Sequence, residues 1–149
     1  MDEGRVEAIF IGPERTLPAP VERVQAHAGK GLEGNRYYFA DGAPPGRALT
    51  LIAAEAIDAF TNETGIPLGA DESRRNVLTR GIDVNALVGK RFRIGDVECE
   101  GVELCEPCRH LQAMTRAGVW KGMVHRAGLN ADILTDGEIA LGDRIQVVA

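Results

Sequence analysis

The sequence predicts a mainly β, barrel-like α+β domain with a few short helices. Three observations carry that expectation. Eighteen glycines and seven prolines in 149 residues make the chain rich in turns. Short apolar stretches with period-two alternation recur between those turns. A hydrophobic content of 44% against 26% charged residues, at the usual length of one domain, supplies a single soluble core. Many short strands with little helix bury themselves best by closing into a barrel. No linker divides the chain, so one domain is expected over residues 1–149.

The elements follow in order. RVEAIFI (5–11) reads as a first strand, and PAPVERVQAHA (18–28) as an edge strand, because its prolines suit an edge. Residues 29–46 form a long loop with five glycines, two prolines and the knot Arg36-Tyr37-Tyr38. Loops of that length in a compact domain are usually functional or mobile. ALTLI (48–52) reads as a buried strand. Residues 53–65 read as a helix with Ala53, Ala56, Ile57 and Phe60 on one face and Gly65 as its C-terminal stop. A strand is expected near 76–79 and a helical turn near 84–87. RFRI and VECEGVEL then form a hairpin about Gly95-Asp96. RHLQAMT (109–115) reads as a short helix, and 128–148 as strand, turn, strand. LVGKRFRIG (87–95) and ALGDRIQVV (140–148) share one pattern and are expected to start two similar barrel strands.

Charge and composition exclude some classes. A net charge of −5 argues against nucleic-acid binding, which needs a basic footprint, but leaves room for a local pocket for a small anion. No run of 18 apolar residues exists, so no membrane span is expected. The acidic start MDEGRVEAIF lacks the pattern of a secretory signal, so a cytoplasmic location is the default. There the three cysteines stay reduced.

Four features carry candidate chemistry. In ELCEPCRHL (103–111), Cys105 and Cys108 form a CxxC pair. Such a pair supplies half of a zinc site, a redox couple, one activated thiol, or two buried thiols in a turn. Cys99 alternates with Val97 and reads as a small strand hydrophobe. A strand-to-helix position and Arg109 favour the thiolate at Cys108, while Glu103 and Glu106 oppose it. Second, the pair Arg74-Arg75 enters an apolar strand at Asn76. Alternation turns one arginine inward or into a cleft, where it needs an anion or a carboxylate such as Asp71, Glu72 or Asp83. Third, GLEGNRYY (31–38) carries Arg36 on a glycine-backed loop with backbone N–H groups able to face an anion. Fourth, WKGMVHRAGLNADI (120–133) brings Trp120, Lys121, His125 and Arg126, either walling a pocket or forming a solvated loop.

The order of these motifs is the most specific feature of the chain. A GLEGNRY loop, an apolar strand and helix, RRNVLTRGIDVNALVGKRFRIGDVECEGVELCEPCRHL and AGLNADILTDGEIALGDRIQV follow one another. This arrangement resembles the MOSC family, the domain found at the C-terminus of molybdenum cofactor sulfurase and in stand-alone bacterial proteins. The resemblance covers residues 5–148. It implies a strand-rich, barrel-like fold and a cysteine that handles sulfur or molybdenum. That cysteine corresponds to Cys108, as metal ligand or persulfide carrier, with Cys105 as a supporting neighbour. It also implies that Arg75, Asn76 and Arg36 hold a molybdopterin-type cofactor, with Arg74 and Lys121 as helpers. Many members have an acidic residue where this chain has Asn35. Relatives that reduce amidoximes or generate sulfur use an additional domain for which 149 residues leave no room. The implied partners are therefore a cysteine desulfurase or a molybdoenzyme or redox protein, with no nucleic acid and no membrane. The alternatives are a non-catalytic domain that binds a phosphorylated ligand and, third, a zinc module.

Overall fold

A computed structural model gives the fold, and it describes residues 3–12, 18–105 and 126–148. Eleven strands and one α-helix run in the order β1 (Glu3–Ile11), β2 (Ala19–Val21), β3 (Arg23–His27), β4 (Gly31–Leu32), β5 (Leu49–Ala53), α1 (Ala54–Thr64), β6 (Val77–Arg80), β7 (Arg91–Ile94), β8 (Val97–Leu104), β9 (Leu129–Ile133), β10 (Gly137–Ala140) and β11 (Arg144–Val147). Short 3-10 turns occupy Asp71–Ser73 and Val84–Leu87. The large sheet has the order β11-β7-β8-β9-β5-β6-β1-β2, and β1 also pairs with β11. That last pairing closes seven strands into the expected barrel. β2 stays outside as an added edge, and β10-β3-β4 form a separate small sheet.

The hairpin β7–β8 forms as its alternation predicts. Phe92, Ile94, Val97 and Cys99 all point inward with no exposed surface, and Gly95 turns at φ 60°. The two look-alike segments do start barrel strands, and those strands, β7 and β11, pair antiparallel with each other. α1 starts at Ala54, so its buried face is Ala54, Ile57 and Phe60, at helical spacing of three. Gly65 takes the left-handed conformation at its end, as expected.

Two expectations change. Residues 18–28 are not one edge strand. The chain bends at Glu22, so β2 borders β1 while β3 becomes the middle strand of the small sheet. Residues 128–148 hold three strands rather than two. β10 leaves the barrel to pair with β3, Ile139 opposite Val24, more than 100 residues away in sequence. Local pattern cannot reveal so distant a partner.

β1 serves two cores. Its register against β6 shifts between Val6 and Ala8, a bulge that exchanges the two faces of the strand. Val6 and Ile9 therefore both face the barrel interior, beside Leu51, Val77, Leu129 and Ile145. Ala8 and Phe10 face outward, under α1, with Ile52, Ile57, Phe60 and Leu78. Without the bulge, Val6 and Phe10 would share a face. On the surface, Arg80 joins the strands to the helix, with Nε 2.6 Å from Glu7 and Nη2 3.3 Å from Asp58. Hydrogen bonds to Glu7 and then Asp58 hold its guanidinium above the ordinary arginine range.

Burial, helped by Glu98, pushes the Cys99 thiol from 9.0 up to about 12. The unfolded chain loses this proton near pH 9 and the folded chain keeps it. The stabilising contribution is thus complete below pH 9 and is lost as pH rises towards 12. Urea unfolding at pH 8 and pH 10 is expected to show a decline that Cys99→Val lessens by about 1 kcal/mol, roughly one unit of linkage. An equal decline in both proteins would mean that Cys99 is not held protonated.

Candidate functional site

The loop after β4 is fastened to the end of β1 by one glycine. The Asn35 amide N–H closes a turn on the Leu32 carbonyl at 3.1 Å. The Gly12 N–H then donates to Asn35 Oδ1 at 3.1 Å, and the Arg36 N–H donates to the Gly12 carbonyl at 2.7 Å. Gly31 permits the fold-back, because a Cβ there would lie 2.7 Å from the Tyr37 carbonyl and φ is 138°. Arg36 lies over the Tyr37 ring, with its guanidinium carbon 4.4 Å from the centroid, and its Nη2 donates to the Tyr37 hydroxyl. The side chain is thus oriented by its own neighbour. No carboxylate among the described residues lies within ion-pair distance of Arg36.

Arg74 approaches from the other strand. β1 and β6 are antiparallel, with Ile9 opposite Val77 and the Phe10 N–H donating to the Asn76 carbonyl at 2.7 Å. Two residues further out on each chain stand Gly12 and Arg74. Arg74 closes the 3-10 turn in the left-handed conformation, φ 62°, alone among the described non-glycine residues. That conformation costs about 1 kcal/mol for a side chain of this kind. Its Nη1 has no accessible surface. Burial first, then the charge of Arg36, lowers its pKa from the ordinary arginine value, with Tyr37 acting against them. Two guanidinium groups are therefore within electrostatic range of each other in a half-buried place. Bringing like charges together is unfavourable unless an anion offsets them.

The other predicted residues are arranged differently. Arg75 turns away from this pair, its Nε donating to the Ala127 carbonyl at 2.6 Å. The Cys105 N–H donates to the Gly128 carbonyl at 2.8 Å, so Arg75 and half-buried Cys105 converge on adjacent residues. Gly128 is required there, since a Cβ would meet the Leu51 carbonyl at 2.1 Å. The Asn76 side chain ties three strands. Its Oδ1 accepts from the Thr50 N–H and hydroxyl, each at 3.1 Å, and its Nδ2 donates to the Phe10 carbonyl at 3.2 Å. Its second amide hydrogen has no partner among the described residues. Cys108 and Lys121 lie outside the described residues, as do Trp120, His110 and His125.

Sequence reading missed Gly12 and Thr50. Gly12 follows an apolar strand at once, which is a signal, but its partners are 23 and 24 residues away. Among the described residues no cluster of three or more His, Cys, Asp or Glu is placed to hold a metal. Two grooves of about 440 and 420 Å3 lie elsewhere, beside the start of α1 and along the first half of β1; Arg126 and Asp83 line the first, and none of the other candidate residues lines either.

The MOSC domain pattern matches residues 25–146. The chain belongs to the MOSC domain family. The YuaD protein from Bacillus subtilis has the same fold, with a TM-score of 0.83 at 15% identity over 97% of this chain and 95% of that one. YiiM from Geobacillus stearothermophilus follows at 0.78 and 17%, over 98% of this chain and 75% of that one. YiiM from Escherichia coli gives 0.72 and 17%, over 97% and 70%. None of the curated proteins matches in sequence. The same fold is thus shared at 15–17% identity. No helix among the described residues is long and apolar enough to cross a membrane.

In this MOSC protein Asn76 is expected to matter first for stability. Asn76→Ala leaves the Thr50 N–H and the Phe10 carbonyl without their partner, at a cost of about 2–4 kcal/mol. Calorimetry should show a melting temperature lower by roughly 5–12 °C. Asn76→Asp should be no better, because a carboxylate would face the Phe10 carbonyl. A melting temperature close to wild type would show that the network is not the support of this corner.

Proposed function

We propose that this stand-alone MOSC protein binds the phosphate end of a molybdopterin-type cofactor, carries sulfur towards one on a cysteine persulfide, or does both. The observation that carries the reading is the Arg36–Arg74 pair in a chain of this family. Arg36 is oriented, half-buried and free of carboxylates among the described residues, which fits a phosphate-bearing ligand. Arg36 and Arg74 would grip the phosphate. Asn76 would hold the chain carrying Arg74 and Arg75 and offer its remaining amide hydrogen, and Lys121 would add charge. A molybdenum centre, when bound, supplies oxygen-atom and electron transfer.

Cys108 is the proposed nucleophile and, where molybdenum is bound, its ligand. It lies three positions after Cys105, a reach of at most about 11 Å. The step would begin with the Cys108 thiolate attacking the terminal sulfur of a donor persulfide, such as that of a cysteine desulfurase. A new S–S bond forms, the donor's S–S bond breaks and the donor thiolate leaves. No net oxidation occurs. A second reading, a non-catalytic domain for a phosphorylated ligand, is favoured by the arginines themselves, since guanidinium groups bind phosphate without a thiol.

Incubation with a persulfide donor, followed by digestion and mass spectrometry, is expected to add one sulfur atom to the peptide holding Cys108. Cys108→Ser should abolish the addition and Cys105→Ser should only weaken it. No added sulfur, together with no binding of molybdenum cofactor, would sink this function and leave the binding domain.

A further inference from the structure

We propose that the groove along the first half of β1 is a binding site for a small monocarboxylate, gripped by the Arg5 guanidinium. The site lies towards the opposite end of β1 from Gly12, about 20 Å along the strand, and does not depend on the arginines of the loop cluster.

The register of three strands sets it up. On the outside of the barrel Arg5 stands directly opposite Arg80 of β6 and Arg144 of β11, and all three are exposed. Like charges opposite one another are unfavourable, so each calls for a counter-charge. β1 supplies Glu3 and Glu7, two positions either side of Arg5. The outer arginines use both. Glu3 Oε1 lies 3.0 Å from Arg144 Nε, and its Oε2 accepts from Gln146 Nε2 at 3.4 Å. Glu7 accepts from Arg80 Nε at 2.6 Å and from its Nη2 at 3.2 Å. Arg80 also reaches Asp58 at 3.3 Å. The middle arginine keeps one long hydrogen bond, from Nη1 to the Gly142 carbonyl at 3.4 Å. No carboxylate among the described residues lies within ion-pair distance of Arg5. A guanidinium carries five N–H donors, so most of those on Arg5 remain for water or a ligand.

The groove beside Arg5 has a volume of about 420 Å3, within the range of small-molecule sites. Gly4, Gly81 and Gly142 line it. Gly81 and Gly142 have φ of 91° and 83°, which side chains rarely adopt, so the backbone itself keeps these two positions clear. A carboxylate matches the planar fork of Arg5. Its single charge also suits the surroundings, because Glu3 and Glu7 would repel a second one. An aliphatic body would then lie along the glycines.

The test titrates the 15N-labelled full chain at low ionic strength and pH 6 with hexanoate, acetate, hexanol and sulfate. The Arg5 Nε–H and the Gly81 and Gly142 amides report binding. Hexanoate is expected to shift all three saturably and to bind about ten-fold more tightly than acetate, through its additional, partly buried methylenes. Hexanol should bind less tightly than hexanoate for want of a charge, and sulfate less tightly than acetate because of its second charge. Read from the glycine amides, Arg5→Gln should weaken hexanoate about ten-fold, and Arg5→Lys, which keeps the charge and loses the fork, about three-fold. No saturable response in wild type overturns the site. Hexanol binding as well as hexanoate, or sulfate binding more tightly than acetate, overturns the monocarboxylate class. Wild-type affinity in Arg5→Gln overturns the role of Arg5. Should Arg5→Gln fail to fold, Arg5→Lys decides, and wild-type affinity there overturns it equally.

Discussion

The side-chain amide of Asn76 holds the place in the barrel where, among the described strands, two neighbours run parallel. Among the described strands β5 and β6 are the parallel neighbours, and α1 is the crossover between them. A hairpin fixes its own register through its turn, but a crossover leaves the incoming strand to be placed by other means. Here Asn76 does the placing. It takes two hydrogen bonds from Thr50 on β5 and gives one to Phe10 on β1, while its own N–H donates to the Thr50 hydroxyl at 2.9 Å. The network is buried, where such bonds are strongest and their loss most costly.

Arg74 and Arg75 stand immediately before that anchor, so they inherit its precision. A left-handed arginine costs only about 1–3 kcal/mol. The amide network just downstream is large enough to outweigh that. The two arginines then diverge, one towards the loop on β1 and the other to the carbonyl of Ala127. The same anchor thus aims one guanidinium at the loop cluster and ties the other to the chain that leads into β9.

Whatever depended on neighbours in sequence was readable in advance. The β7–β8 hairpin is written in four alternating apolar residues and a glycine, and the end of α1 in Gly65. The break at Glu22 and the departure of β10 were not readable, because each answers to a partner far along the chain. The arginines of the site were visible for a chemical reason, since charge entering an apolar strand demands explanation. Asn76 was visible as well, but its hydrogen bonds to a threonine 26 residues away were not. Asn35 stood out only as a departure from its family. Its clasp on Gly12 emerges once the two chain segments are side by side.

An anion site at Arg36 and Arg74, as proposed, would discriminate by size as well as charge in an acidic chain. With a net charge of −5, the surface as a whole repels anions. That repulsion fades beyond a Debye length of about 10 Å at 0.1 M salt. An extended polyanion must lie against the whole surface, so it meets the repulsion and only a fraction of the attraction. A small anion that sheds water and enters beside Arg36 and Arg74 feels mainly those two charges, in surroundings where burial already weakens the competition from water. Under the proposed function, local burial and an opposing global charge would work in the same direction, towards a compact, highly charged ligand group.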